Sequence, residues 1–173
     1  MFADPVKNLR AFGLGENMIV ADLGAGTGFY SVAAGEMVPR GKVYAVEVQK
    51  DFLDKIKHKI KDAHLNNIET LWGDVEKIGG TKIGNGVVDA VIASNILFQV
   101  EDKNKFIEET KRILKPGGRV LLVDWSSGAS VMGHLETIVP SGEARKMFET
   151  KGFVWERDID AGSNHYGMIL KKA

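Results

Sequence analysis

The sequence predicts an α/β fold in one domain, with a mostly parallel sheet that closes on an antiparallel hairpin. Three observations predict it. Short apolar runs alternate with longer amphipathic ones, the pattern of repeated strand–helix–strand units. Several runs are rich in Val, Ile and Ala with little polar alternation, as in strands covered on both faces. Two further strand-like runs, joined by turn residues, end the chain.

The elements follow in order. Met18–Leu23 is the first strand, and it runs into a glycine-rich loop. Tyr30–Val38 is a short helix, ended by Pro39-Arg40-Gly41 before the strand Lys42–Val46. Asp51–His64 is an amphipathic helix with Phe52, Leu53, Ile56, Ile60 and Ala63 on one stripe and lysines opposite. The strands Ile68–Trp72 and Val87–Ala93 come next. The helix Asp102–Lys115 aligns Phe106, Ile107, Ile113 and Leu114, and Glu108 and Arg112 stand at pairing distance, i,i+4. Pro116-Gly117-Gly118 stops that helix before the strand Arg119–Asp124.

Trp125–Val139 has no clear period and reads as a loop or lid. Ser141 is placed to cap a helix reaching Lys151, with Gly152 as its stop. Phe153–Ile159 and His165–Leu170 make the closing hairpin through Ala161-Gly162-Ser163-Asn164.

Composition narrows the function classes. The 173 residues fit one domain, 1–173, long enough to bury a core without staples. Lys plus Arg and Asp plus Glu are 23 each, so the formal net charge is zero. No basic excess indicates a nucleic-acid partner. With no cysteine, disulfides, thiolate metal sites and cysteine nucleophiles are excluded. The four histidines are scattered and none has metal-ligand spacing, so no metal is expected. No apolar run approaches the roughly 18 residues of a membrane span, and Met1 to Arg10 lacks a signal-peptide core. A cytoplasmic protein is the expectation.

Four signals carry the chemistry. In Asp22-Leu23-Gly24-Ala25-Gly26-Thr27-Gly28 an apolar strand meets three glycines, followed by a helix. Such a loop turns sharply and lets a ligand approach main-chain atoms that a Cβ would shield. The spacing is G-x-G-x-G, with Phe at position 29, rather than the G-x-G-x-x-G of a dinucleotide site, which argues against a pyrophosphate. Glu47 ends the second strand, 19 positions beyond Gly28, with Val48 beside it. A carboxylate there can accept from both ribose hydroxyls of a nucleoside, at roughly 1.5–3 kcal/mol each. Gly73, Asp74 and Val75 follow the third strand, where Asp74 can accept from an adenine amino group or merely cap the next turn. Asp89 to Phe98 is a strand leading into Ser94 and Asn95, which would face the ligand at the switch point of the sheet.

These residues resemble the class I S-adenosylmethionine-dependent methyltransferases. The glycine loop looks like the family's motif I, and Glu47, Gly73-Asp74 and the Asp89–Phe98 run follow in the family's order. The segment Leu114-Lys115-Pro116-Gly117-Gly118, continuing to Asp124-Trp125, resembles the approach to the fifth strand. The likeness covers roughly positions 5 to 170 and is most like the small-molecule branch of ubiquinone and menaquinone methyltransferases. It implies a Rossmann-like three-layer sandwich with strand order 3-2-1-4-5-7-6. It also implies S-adenosyl-L-methionine as cofactor, S-adenosyl-L-homocysteine as product and a small-molecule acceptor. Gly24 and Gly26 would border the cofactor's methionine part, Asp22 its ammonium, Glu47 its ribose, and Asp74 and Val75 its adenine.

Two departures matter. Fewer than twenty residues precede the strand that carries motif I, and the segment after the fifth strand is short, which leaves the acceptor site open or completed by a second chain, so a homo-oligomer is possible. Arsenic methyltransferases use cysteines for their substrate, and this sequence has none. Methyl transfer from a sulfonium has a neutral leaving group, so a base is needed only if the acceptor must lose a proton. Asp124 and His134 are the catalytic candidates, with Trp125, Glu136 and His165 near the same rim. A protein or RNA acceptor, a non-catalytic adenosyl-binding module and a nicotinamide dehydrogenase are the alternatives.

Overall fold

A computed structural model describes residues 3–126 and 137–173. Seven strands form one sheet in the order β3-β2-β1-β4-β5-β7-β6. The strands are β1 (Ile19–Leu23), β2 (Lys42–Glu47), β3 (Ile68–Trp72), β4 (Val88–Ser94), β5 (Leu114–Trp125), β6 (Phe153–Ile159) and β7 (His165–Lys172). Pairing is parallel from β3 through β5 and antiparallel at β5–β7 and β7–β6, as expected. The parallel register brings the carboxyl ends of β1, β2 and β4 together, with Leu23 opposite Val46 and Asp22 opposite Ile92. That edge is where an open α/β sheet places its ligand.

Alternation along the strands splits the core into two layers. Val20, Ile92, Leu121 and Ile169 face α1 (Pro5–Phe12) and α2 (Phe29–Met37), packing on Leu9, Phe12 and Ala34. Ala21, Val91, Leu122 and Leu170 face the other way, onto Phe106 of α4 (Lys103–Ile113) and Phe148 of α5 (Ser141–Thr150). The remaining helix, α3 (Lys50–Asp62), buries Leu53 and Ile56 and packs beside α2 over β2 and β3.

The structure revises four local expectations. Helix α1 is unassigned from sequence, yet its signals are present: Asp4 accepts from the Lys7 N–H at 3.1 Å, Pro5 opens the first turn, and Gly13 closes it in the left-handed region. The Lys-Pro-Gly-Gly segment does end α4, but β5 already begins at Leu114. Val88 pairs with Leu114 and Ala90 with Arg119, so the segment is absorbed as an irregularity within the strand. Arg112 pairs with Glu109 one turn back, at 2.7 Å, while Glu108 reaches Lys151, which caps the end of α5. Ser141 is the first residue of α5 rather than its cap, because extended Pro140 occupies the cap position.

Candidate functional site

A cleft opens at the carboxyl ends of the central strands. It has a narrow part of about 200 Å³ against β2 and β3, and a wide part of about 730 Å³ in front of β1 and β4. Gly24, Gly26, Gln49, Phe52 and Gln99 line both parts, so the two are continuous. The combined space suits a nucleoside carrying an amino-acid tail.

The narrow part gathers Glu47, Val48, Gly73, Asp74 and Val75. Glu47 is buried, and it binds the glycine loop to its own strand end. Oε2 accepts from the Gly26 N–H at 2.9 Å, and Oε1 accepts from the N–H groups of Val48 at 2.9 Å and Gln49 at 3.0 Å. Three of about four acceptor positions of the carboxylate are thus filled, and one remains for a ligand hydroxyl. Asp74 is also engaged. Its Oδ1 caps the following turn through the Glu76 N–H at 2.9 Å, and Oδ2 meets Lys77 at 3.1 Å. The Glu76 N–H, foremost, holds the Asp74 carboxyl below the usual carboxylate range.

Charge in this half of the cleft is one-sided. Glu47, Asp74 and Glu76 line it, and among the described residues no lysine or arginine lines either part. Asp22 lies behind the loop, 2 % exposed, and accepts from the Ser31 hydroxyl at 2.6 Å. Burial, reinforced by the charge of Glu47, pushes its carboxyl up to about 7 against the pull of Ser31. An anionic floor of this kind holds cations and repels a pyrophosphate.

The loop glycines divide into different roles. Gly26 has φ of +56°, and a Cβ placed on it would meet nothing closer than a carbonyl oxygen at 4.0 Å. The absent side chain is therefore cleft space. Gly28 has φ of +85° and caps α2, and a Cβ there would sit 3.0 Å from Ile56 on α3. Its smallness serves helix packing rather than a ligand. Leu23 is core.

The wide part collects Ala25, Thr27, Ser94 and Asn95 with Tyr30 and Phe29. Ser94 Oγ is buried near the Tyr30 hydroxyl but makes no hydrogen bond of normal geometry. Such an orphaned group in a cavity wall points to a polar ligand atom. Phe52, Gln49, Ile96 and Gln99 escape the sequence reading. Phe52 belongs to the apolar stripe of α3, and nothing in its spacing separates a core position from a cleft wall.

The catalytic candidates fare differently. Asp124 is buried and turned to the backbone, accepting from the N–H groups of Leu97 and Trp125, both at 2.8 Å. Burial pushes its carboxyl up to about 6 against those donors. It shapes the turn after β4 and does not line the cleft. His134 and Glu136 lie outside the described residues. His165 packs on Trp125, ring centroids 4.2 Å apart, and bonds Asn95.

Comparison with known proteins agrees with this geometry. Residues 14–173 match a family model described as "Methyltransferase domain". An arsenite methyltransferase of Halobacterium salinarum is 30% identical over 119 residues, 68% of this chain and 29% of that protein. A demethylmenaquinone methyltransferase of Lactococcus lactis is 31% identical over 121 residues, 69% of this chain and 47% of that protein. The chain therefore matches less than two thirds of the length of these relatives. The crystal structure of a SAM-dependent methyltransferase from Aquifex aeolicus superimposes with a TM-score of 0.90 at 29% identity, covering 99% of this chain and 91% of that one.

Proposed function

This chain belongs to the methyltransferase-domain family, in its class I, S-adenosylmethionine-dependent form, and on that premise we propose that it transfers the cofactor's methyl group to a small-molecule acceptor. The observation that carries the reading is the charge of the cleft: three carboxylates and no cation among the described lining residues, where a sulfonium nucleoside would lie.

The residues fit that group. Gly26 leaves the space a side chain would fill, Glu47 keeps one acceptor position for a ribose hydroxyl, and the apolar walls of Val48, Val75 and Phe52 suit an adenine. Ser94 and Asn95 line the wide part and would face the amino-acid tail and the acceptor. When bound, the cofactor supplies an electrophilic methyl on sulfur with a neutral leaving group. The chain's share is then placement and exclusion of water, for which effective molarities on the order of 10⁵–10⁸ M are available. Asp124, held by backbone donors, is a positioning group for the β4 turn rather than a base.

A small-molecule acceptor is supported by the names of the quinone and arsenite relatives and by the neutral overall charge. The thiolate chemistry of an arsenic substrate does not carry over to a chain without cysteine. Calorimetric titration with S-adenosylhomocysteine and with NAD tests the cofactor half; tight binding of NAD alone sinks it. Incubation with methyl-labelled S-adenosylmethionine and a fractionated extract tests the acceptor half. Label in the small-molecule fraction supports the reading, and label confined to protein or RNA overturns it. Cofactor binding without transfer of label to any fraction would make the chain a binding module.

A further inference from the structure

Val48, Gly73 and Asp74 wall the narrow part of the cleft and also a second space. It is an open hollow of about 270 Å³ beside the edge strand β3, completed by Trp72, Lys77, Gly80 and Lys82. Val48 and Trp72 are large apolar side chains left 56 % and 59 % exposed. The indole is nevertheless fixed. Its Nε1–H donates to the Val48 carbonyl at 3.0 Å, and the Lys50 ammonium lies 4.2 Å from the ring centre. An aromatic surface held in place and left open is suited to stacking a second ring.

Charge in the hollow has the opposite sign to that of the cleft. Lys77 and Lys82 line it, and Asp74 is the one acid among the described lining residues. Asp74 is already met by Lys77 at 3.1 Å. The Lys82 ammonium has no partner among the described residues, so one positive charge is left over. Lys82 also has φ of +65°, a left-handed conformation that costs a residue with a side chain about 1–2 kcal/mol. Its neighbours hold it there. Thr81 and Ile83 on either side are buried, and the N–H groups of Gly79 and Thr81 donate to buried Glu109 at 2.8 Å and 3.2 Å. Backbone closes the floor: the Gly80 N–H donates to the Lys77 carbonyl at 2.8 Å, and the Asp74 N–H to the Gly80 carbonyl at 3.0 Å. An unpaired cation is thus presented on rigid backbone beside an exposed ring.

We propose that this hollow is a binding site for a small aromatic anion, separate from the nucleoside cleft. The ring of the ligand stacks on Trp72 and Val48, and its carboxylate meets Lys82 and Lys77. A neutral apolar ligand would leave Lys82 unpaired, and an inorganic anion would leave the indole uncovered. A ligand with both features answers both. The volume lies just under the roughly 300–1,000 Å³ of drug-sized ligands and suits a compound of one or two rings. The site does not depend on the methyltransferase reading, because Trp72, Lys77 and Lys82 line neither part of the cleft.

The probe is indole-3-acetate, followed by amide and indole N–H shifts of the nitrogen-15-labelled protein without cofactor. Indole-3-acetamide, of the same shape and uncharged, is the control. The acetate should move the Trp72 indole N–H, identified by its loss in Trp72→Phe, and the amides of Gly80 and Lys82, while that of Gly26 stays in place. The acetamide should bind about five-fold more weakly, the size of one exposed ion pair. Lys82→Gly should weaken the acetate about five-fold and leave the acetamide unchanged. Glycine accepts the left-handed backbone, so the unfolding midpoint of that variant should be no lower than that of the wild type. Trp72→Ala should weaken both compounds. Equal binding of the two, unaltered affinity in Lys82→Gly, shifts centred on Gly26, or no shift at millimolar concentration each overturns the proposal. So does a dimer that Trp72→Ala converts to monomer in sedimentation, since a second copy would then cover the hollow. None of these readouts needs S-adenosylmethionine, so the site is tested whether or not the functional reading holds.

Discussion

The Gly26 N–H donates to Glu47 Oε2 at 2.9 Å, so the glycine loop and the end of the second strand form one hydrogen-bonded unit. The side chain that shapes the loop is also the one proposed to hold the ribose, and its removal should be felt twice.

Glu47→Ala should weaken S-adenosylhomocysteine about 100-fold, from loss of about 3 kcal/mol at one charge-assisted bond and the loop geometry it holds. It should also lower stability by about 1–3 kcal/mol, because three backbone N–H groups lose their acceptor. Calorimetry and urea unfolding read the two effects separately. Unchanged affinity in a folded variant removes Glu47 from the ribose site.

Gly26→Val and Gly28→Ala should part company. Valine at 26 projects into the cleft and should abolish cofactor binding, with only the cost of a left-handed side chain, about 1–2 kcal/mol, in stability. Alanine at 28 meets Ile56 at 3.0 Å and should lower the unfolding midpoint with a much smaller effect on affinity. Retained binding by a folded Gly26→Val protein would count against the loop assignment.

Asp22 predicts a dependence of stability on pH. Its folded pKa, about 7, lies above the ordinary value of 3.8, so the folded state holds the extra proton between those values. Its favourable contribution is complete below pH 3.8 and is lost as pH rises through about 7. Asp22→Asn should flatten that part of the profile, measured by urea unfolding at a series of pH values. A slope equal to that of the wild type would show that another group titrates there.

Glu109 predicts the opposite sign. Burial pushes its carboxyl up, but bonds from Arg112, Thr81 and the Gly79 N–H outweigh it and bring it to about 2. Its contribution is present above the ordinary 4.5 and is lost as pH falls through about 2. Glu109→Gln should destabilise the protein at pH 7 by about 1–3 kcal/mol and leave cofactor affinity intact. A variant as stable as the wild type would mean that the bonded loop at Gly79–Thr81 contributes little.

What the sequence makes legible follows from the range of each signal. The strands announce themselves because burial on both faces removes polar residues from Val91 to Ala93 or Val120 to Val123. The glycine loop and Glu47 are legible because backbone geometry dictates residue type at fixed spacing. Helix α1 escapes an apolar-period reading because it is short, although Asp4, Pro5 and Gly13 mark both its ends. Residues that complete the cleft from a distance, Phe52 and Gln99, are illegible: their role depends on how α3 and the turn after β4 are carried over the sheet. His165 is 70 positions from Asn95, and only the insertion of β7 beside β5 brings them within reach.

The one-signed floor of the narrow cavity bears on turnover. A methyl donor enters as a cation and departs, once spent, as an uncharged thioether. On the proposed reading, the attraction exerted by Glu47 and Glu76 would fade with the very event it assists, which would favour exchange of the used nucleoside for a fresh one.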